Sequence, residues 1–167
     1  MTNCENTTQN PHNNHVCNLS SVYSFKEIID LSKWNEIYNC DDFEFLPYRT
    51  NAYSECNAAL FRSYNDTAVE DGVTQNVYFS DTDVHVLSAN IHILDGGIQS
   101  DVHGVTAGIR LQICSNNNIL AQSNLLTQAN ITAHVRLPFI ANANETIQIK
   151  ICINGRGAAI VDTVQIK

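Results

Sequence analysis

Charge is scarce in this sequence: 16% of its residues are Asp, Glu, Lys or Arg, below the usual quarter or so. Basic residues are scarcer still, 9 against 17 acidic, for a formal net charge of −8. Such a chain cannot hold a polyanion by counterion release, so neither nucleic acid nor an anionic membrane is expected as a partner. Long apolar runs are missing as well. No stretch approaches the ~18 to 20 residues of a membrane span, and the opening residues Met1 to His15 lack both the basic and the apolar parts of a secretory signal. Catalytic and metal signatures are absent in the same way. No G-x-S-x-G elbow accompanies the six histidines. The six cysteines, Cys4, Cys17, Cys40, Cys56, Cys114 and Cys152, form no C-x-x-C pair, and none has a histidine at zinc-finger spacing. The expectation is a non-enzymatic protein with no cofactor.

What is present points to one domain with an additional N-terminal segment. A chain of 167 residues that is 44% hydrophobic can bury a real core. Its polar surface is neutral, with 21 asparagines alongside Gln, Ser and Thr. Surfaces of this kind repel one another weakly and suit exteriors that lie side by side. Cysteines without a metal pattern fit a protein that is oxidised after leaving the cytosol by a route other than general secretion, as in spore coats or virus particles released by lysis.

Residues 1–23 read as a flexible, Asn-rich, cysteine-bearing arm, too poor in large apolar groups to offset its ordering entropy. Residues 24–57 read as a connector. Within it, Ser24-Phe25-Lys26-Glu27 has the form of a capping box before Ile28, Ile29, Leu31 and Trp34, which predicts a short helix over 25–34; one further strand is compatible with the aromatics that follow. From residue 58 to 167 the period becomes two. Val77 and Phe79, then Ile109, Leu111 and Ile113, then Ile131, Ala133, Val135, Leu137 and Phe139, then Ile147, Ile149, Ile151 and Ile153 alternate with polar neighbours. One face of each run belongs to a core and the other to water. Turn signals separate the runs at Asp95-Gly96-Gly97, Ser115 to Asn118, Ala141 to Asn144 and Asn154 to Gly157. The expected fold is all-β, an antiparallel β-sandwich of jelly-roll type with an extended N-terminal arm.

Cys114 and Cys152 fall in the outward register of their strands. They read either as partly buried free thiols or as receivers of disulfides. Cys4 and Cys17 on the arm have reach, since an extended residue covers roughly 3.3 Å; with Cys40 and Cys56 they complete the set of cross-link candidates. His85 and His92 lie an odd number of residues apart on one strand and so face opposite sides. His12 and His15 read as solvated arm residues, and His103 and His134 have no evident partner. Asp81, Asp83, Asp95 and Asp101 supply loop carboxylates, but their spacing is not that of an EF-hand and they read as turn formers.

The segments Ala58 to Ser63, Gly72 to Phe79, Gly108 to Ile113 with Asn116 to Leu120, Ala143 to Ile149 and Val164 to Ile166 resemble successive strands of the tumour-necrosis-factor-like jelly roll of complement-type globular heads. The likeness spans about residues 57 to 167. Bacterial members of the family resemble this chain in size, and several are subunits of the outer layer of endospores; endospore appendage subunits, a second likeness, are jelly rolls with an N-terminal cysteine-bearing connector that bonds to other subunits, and Cys4 and Cys17 are placed as that scheme needs. The resemblance implies a self-assembling structural subunit of a disulfide-stabilised filament or layer at a spore surface or extracellular appendage. Its partners would be copies of itself, joined through the arm, and other spore-surface proteins. The alternative is a trimeric ligand-binding head that displays loops such as Asp95 to Gly104 to a sugar or receptor. A hydrolase or isomerase would need His and carboxylate clustered on an inner face, where the alternation places Ile, Val, Leu and Phe.

Overall fold

Isoleucine at every second position from 147 to 153 is the clearest local statement of the architecture. Ile147, Ile149, Ile151 and Ile153 are all fully buried, since successive side chains of a strand point to opposite faces and only one face here meets a core. The computed structural model describes residues 27–28, 35–36, 43–50, 53–64, 71–104 and 106–167. Their strands, in chain order, are β1 (Glu27–Ile28), β2 (Asn35–Glu36), β3 (Phe43–Thr50), β4 (Tyr53–Ser63), β5 (Asp71–Phe79), β6 (Asp83–Ile93), β7 (Gly108–Ser115), β8 (Asn118–Gln122), β9 (Thr132–Ala141), β10 (Glu145–Asn154) and β11 (Gly157–Ile166).

Two antiparallel sheets form, one in the order β3-β4-β11-β6-β9 with β1 also on β11, the other in the order β2-β5-β10-β7-β8. From β4 onward every connection but the β7–β8 hairpin carries the chain from one sheet to the other, which is the weave of a jelly roll. That hairpin has a two-residue turn, Asn116 and Asn117, both at positive φ, as its twist requires. The main core between the sheets is a cluster that includes Phe61, Val77, Leu87, Ile91, Leu111, Ile113, Val135, Leu137, Phe139 and Val161. Full burial of such a side chain is worth about 1.5–3 kcal/mol.

The predicted helix over 25–34 is corrected at Glu27–Ile28, which are strand and pair with Ile166 and Gln165 of β11; its other residues lie outside the described ones. A local capping signal yields here to a tertiary one. A bulge at Asp162 to Gln165, with Thr163 at positive φ, interrupts β11. The stretch before the bulge pairs with β4, leaving backbone groups beyond it that β1 satisfies. The segment read as a connector thus supplies β1, β2, β3 and the start of β4 to the sheets. Ile131 keeps the expected inward register beside Ile91, Ile93 and Ala133, yet it is 42% exposed, because it precedes β9 at the rim of the sandwich, where its carbonyl accepts from Ile93 N–H at 3.1 Å.

Two of the chain's 3 prolines, Pro47 and Pro138, lie in β3 and β9, the two borders of the larger sheet. Val86 exchanges both of its backbone bonds with Lys167, at 3.0 and 3.1 Å, and has none left for Pro138 opposite it. Pro138 therefore turns its backbone to the open border, where its missing N–H costs no ladder bond and removes one outward donor.

At the far end, the turn after β9 is tied down by Glu145. Its carboxylate accepts from the Ser115 hydroxyl, from Asn142 N–H at 2.7 Å and from Asn142 Nδ2 at 3.0 Å. The Ser115 bond above all, then the Asn142 backbone bond, holds the Glu145 pKa below its ordinary value against a smaller opposing effect of burial. A carboxylate whose folded pKa is depressed stabilises the fold above its unfolded pKa and loses that contribution as pH falls through the depressed value. Glu145→Gln is therefore expected to lower the urea midpoint at neutral pH and to match the wild type in acid below the carboxylate range. A gap that persists unchanged into acid would assign the effect to packing instead.

Candidate functional site

Strand order brings together, at one end of the outer face of the larger sheet, residues far apart in sequence. Along β4, Phe61 and Ser63 are buried and point inward, so Arg62 between them points out. Arg62 stands opposite Ala158 of β11, and His92 of β6 stands opposite Ile160 of the same strand. Beyond these strand ends lie Tyr64, Leu94, Asp95, Asn130 and Arg156. Together they line an open recess of about 630 Å³, within the range of about 300–1,000 Å³ usual for small-ligand sites.

The floor is apolar, with Leu94 and Ala158 packed against buried Leu60 and Ile160. The walls carry one aromatic and several planar polar groups. Tyr64 is 53% exposed. His92 Nδ1 lies 2.8 Å from Thr132 Oγ1, which fixes the ring. Arg62 donates to Glu44 of β3 at 3.2 Å, and the Arg156 guanidinium is paired with Asp101. Backbone bonds frame the site: Leu94 N–H to Ala158 O at 3.0 Å, Asn130 N–H to Ile93 O at 2.9 Å, and a reciprocal pair between Gln99 and Arg156 at 2.9 and 2.7 Å. Asn130 takes positive φ, a conformation Asn tolerates better than most residues. Main-chain bonds thus fix the strand ends and turns that carry the wall side chains.

A second, smaller cavity of about 210 Å³ lies between Ile91, Ile93, Leu125, Leu126 and Ile131, with Thr127 and Gln128 at its rim. It is an apolar gap between the strand ends of the core and the segment that follows β8.

The residues singled out from the sequence distribute as follows. Cys4, Cys17 and Cys40 lie outside the described residues, as do His12 and His15; Cys56 lies in β4. Cys114 and Cys152 occupy the expected outer register, opposite Gln148 and Arg110 respectively. Both are nonetheless buried, at 4% and 2% exposure, and neither is in a disulfide. Cys152 Sγ lies 3.7 Å from the Gln112 side-chain amide. The two are four residues apart along one ladder, roughly 13 Å at strand rise, so no disulfide joins them in this fold.

His85 and His92 do face opposite sides. His85 is buried between the rings of Phe79 and Phe139, with centroids at 4.5 and 5.6 Å. His134 Nδ1 lies 2.7 Å from Asn90 Oδ1 on the outer face. Asp83 accepts from Val84 N–H and Asp81 from the Ser80 hydroxyl, as turn formers do. Among the described residues no three His, Cys, Asp or Glu side chains come together in a way that could hold a metal ion. Asp95 enters the recess and Asp101 supports it, so the loop expected to display ligand contacts does border the site. Arg62, Tyr64, Asn130 and Arg156 carried no signal in the sequence beyond turn composition.

No family model matches the chain, and no curated protein matches it significantly. Solved structures do. One is a carbohydrate-binding module of the CBM4 type, 10% identical, with a TM-score of 0.57 over 92% of this chain and 94% of that one. Another is TmCBM61 in complex with β-1,4-galactotriose, 12% identical, with a TM-score of 0.54 over 81% and 88% of the two chains. A third is a cyclase from Fischerella sp. TAU in complex with 4-(1H-indol-3-yl)butan-2-one, 13% identical, with a TM-score of 0.51 over 100% and 89%. None of these three is a tumour-necrosis-factor-like head or an endospore subunit. At such identities the shared feature is the fold: the chain is a jelly-roll β-sandwich of the architecture that carbohydrate-binding modules and these cyclases also adopt.

Proposed function

We propose that this domain is a non-catalytic binding module whose open recess takes a neutral, hydroxyl-rich ligand, a glycan. The observation that carries this reading is the composition of the recess: an exposed tyrosine ring beside planar polar side chains on a rigid frame, with both arginines already paired to carboxylates. An aromatic face offers an apolar platform to the C–H face of a sugar ring. Arginine, aspartate and asparagine at its margin offer forked donors and acceptors to adjacent hydroxyls. The carbohydrate-binding modules of similar fold support the same reading.

The cyclases of similar fold leave a catalytic reading open at the level of fold, and the recess argues against it. The hydroxyl that its histidine meets, that of Thr132, is bonded to Nδ1 and fixes the ring, and its two arginines are already paired with carboxylates. The disulfide-stabilised spore-surface subunit expected from the sequence draws no support from the similar structures, and the border prolines oppose growth by strand pairing.

Titration calorimetry of the full chain against β-1,4-galactotriose and xylohexaose, followed by an array of other neutral oligosaccharides, tests the proposal. Binding to at least one neutral oligosaccharide is expected, with Tyr64→Ala weakening it tenfold or more while the melting temperature stays put. Absence of binding across the array, or an indifferent Tyr64→Ala, would remove the reading.

A further inference from the structure

We infer that Glu44 and Asp101, neither of which lines the recess, set its selectivity for uncharged ligands over acidic ones by holding its two arginines in ion pairs. The inference rests on the reading of the recess as a glycan site and adds the property that decides which glycans it admits.

Two guanidinium groups, those of Arg62 and Arg156, border the recess. Left to themselves, two arginines at the rim of an open pocket are an anion site, since the planar fork matches carboxylate and sulfate geometry. Each instead meets a carboxylate that reaches it from outside. Glu44 stands directly across the ladder from Arg62, and the pair closes at 3.2 Å with both side chains 39% exposed. Asp101 comes from the loop after β6 and pairs with Arg156, whose backbone is anchored to Gln99 two residues earlier in that loop.

With Asp95 also in the wall, the local sum among the described residues is two cations against three carboxylates. An incoming anion would have to displace a partner and approach a site of net negative charge. A neutral hydroxyl need only share the remaining N–H groups. The two carboxylates arrive from different elements, one along a strand and one from a loop, so a single sequence accident does not account for both.

Exposed ion pairs contribute little to stability, so their removal changes charge without unfolding the domain. The full chain carrying Glu44→Gln and Asp101→Asn together is compared with wild type by affinity electrophoresis through oligogalacturonate, an acidic glycan, at low salt and in 0.5 M sodium chloride. Asp81→Asn with Asp83→Asn, at the opposite end of the molecule, removes the same number of charges and controls for bulk charge. The double variant is expected to gain at least tenfold in affinity for oligogalacturonate at low salt, to lose that gain at high salt, and to lose it again when Arg62→Gln and Arg156→Gln are added. The wild type and the Asp81→Asn, Asp83→Asn control are expected to run unretarded.

Retardation of the double variant no greater than that of the control, or a gain that survives removal of both arginines, would overturn the inference. These outcomes are independent of whether the wild type binds neutral oligosaccharides. A double variant that gains acidic ligands beside a wild type that binds no neutral glycan would sink the proposed function and leave the role of the carboxylates standing.

Discussion

Replacing Gly72 with alanine is expected to cost this domain most or all of its folded population. Gly72 lies near the start of β5 opposite Cys152 of β10, in the ladder at the middle of the smaller sheet. Its φ of +151° is one that side chains rarely adopt. A methyl group there would overlap the carbonyl oxygen of Ile151 and approach the Cys152 Cα to 3.0 Å. Both are backbone atoms, and the strands would have to part to make room. Backbone strain alone costs about 1–3 kcal/mol, and the steric overlap adds to it, against a total stability of about 5–15 kcal/mol for a domain. Urea unfolding followed by fluorescence should show either no cooperative transition or a midpoint far below that of wild type. A midpoint within error of wild type would mean that β5 and β10 do not approach as closely as described.

The second large effect is expected at Ile149. It is fully buried and pairs with Gln75 on one side and Ile113 on the other, so no border allows neighbours to collapse into the space it would leave. Ile149→Ala is expected to cost about 2–5 kcal/mol and Ile149→Val about 0.5–1.5 kcal/mol. The graded pair separates a cavity effect from a change in strand propensity, which would favour valine. A loss below about 1 kcal/mol for the alanine variant would show that the centre of the sandwich is loosely packed.

The half of the fold that the sequence makes legible is the half where a single strand declares its own two faces. Alternation in β10, β7 and β9 marks the buried side residue by residue, and the asparagines and glycines between them mark the turns. The sequence allows one strand among the aromatics of residues 35–57 without placing it, because Leu46, Pro47 and Tyr48 interrupt the period of β3 and leave a stretch that looks irregular. β1 was misread as helix because Ser24 and Glu27 carry a local capping signal, while the demand that makes Glu27–Ile28 a strand comes from β11, far along the chain.

Cys114 and Cys152 show the limit from another side. Period two places them correctly on the outer register, and it says nothing of what covers that register. The recess was illegible for the same reason that it exists. Arg62, His92, Asn130 and Arg156 come from four segments that only the order of strands makes adjacent, and order is not written in periodicity. Asp95 and Asp101 were visible as loop carboxylates, with the chemistry of turns; the arginine that gives Asp101 its role lies 55 residues away.

Pro47 and Pro138 bear on how densely this domain can be crowded. At high local concentration the exposed rim of a sheet becomes a seed on which another chain can zip up, and such seeding ends in cross-β fibres that no longer dissociate. A rim whose outward hydrogen-bond rhythm skips a beat at Pro138, and whose opposite rim also carries a proline, makes a poor seed. Copies packed shoulder to shoulder would then meet through side chains and part again on dilution.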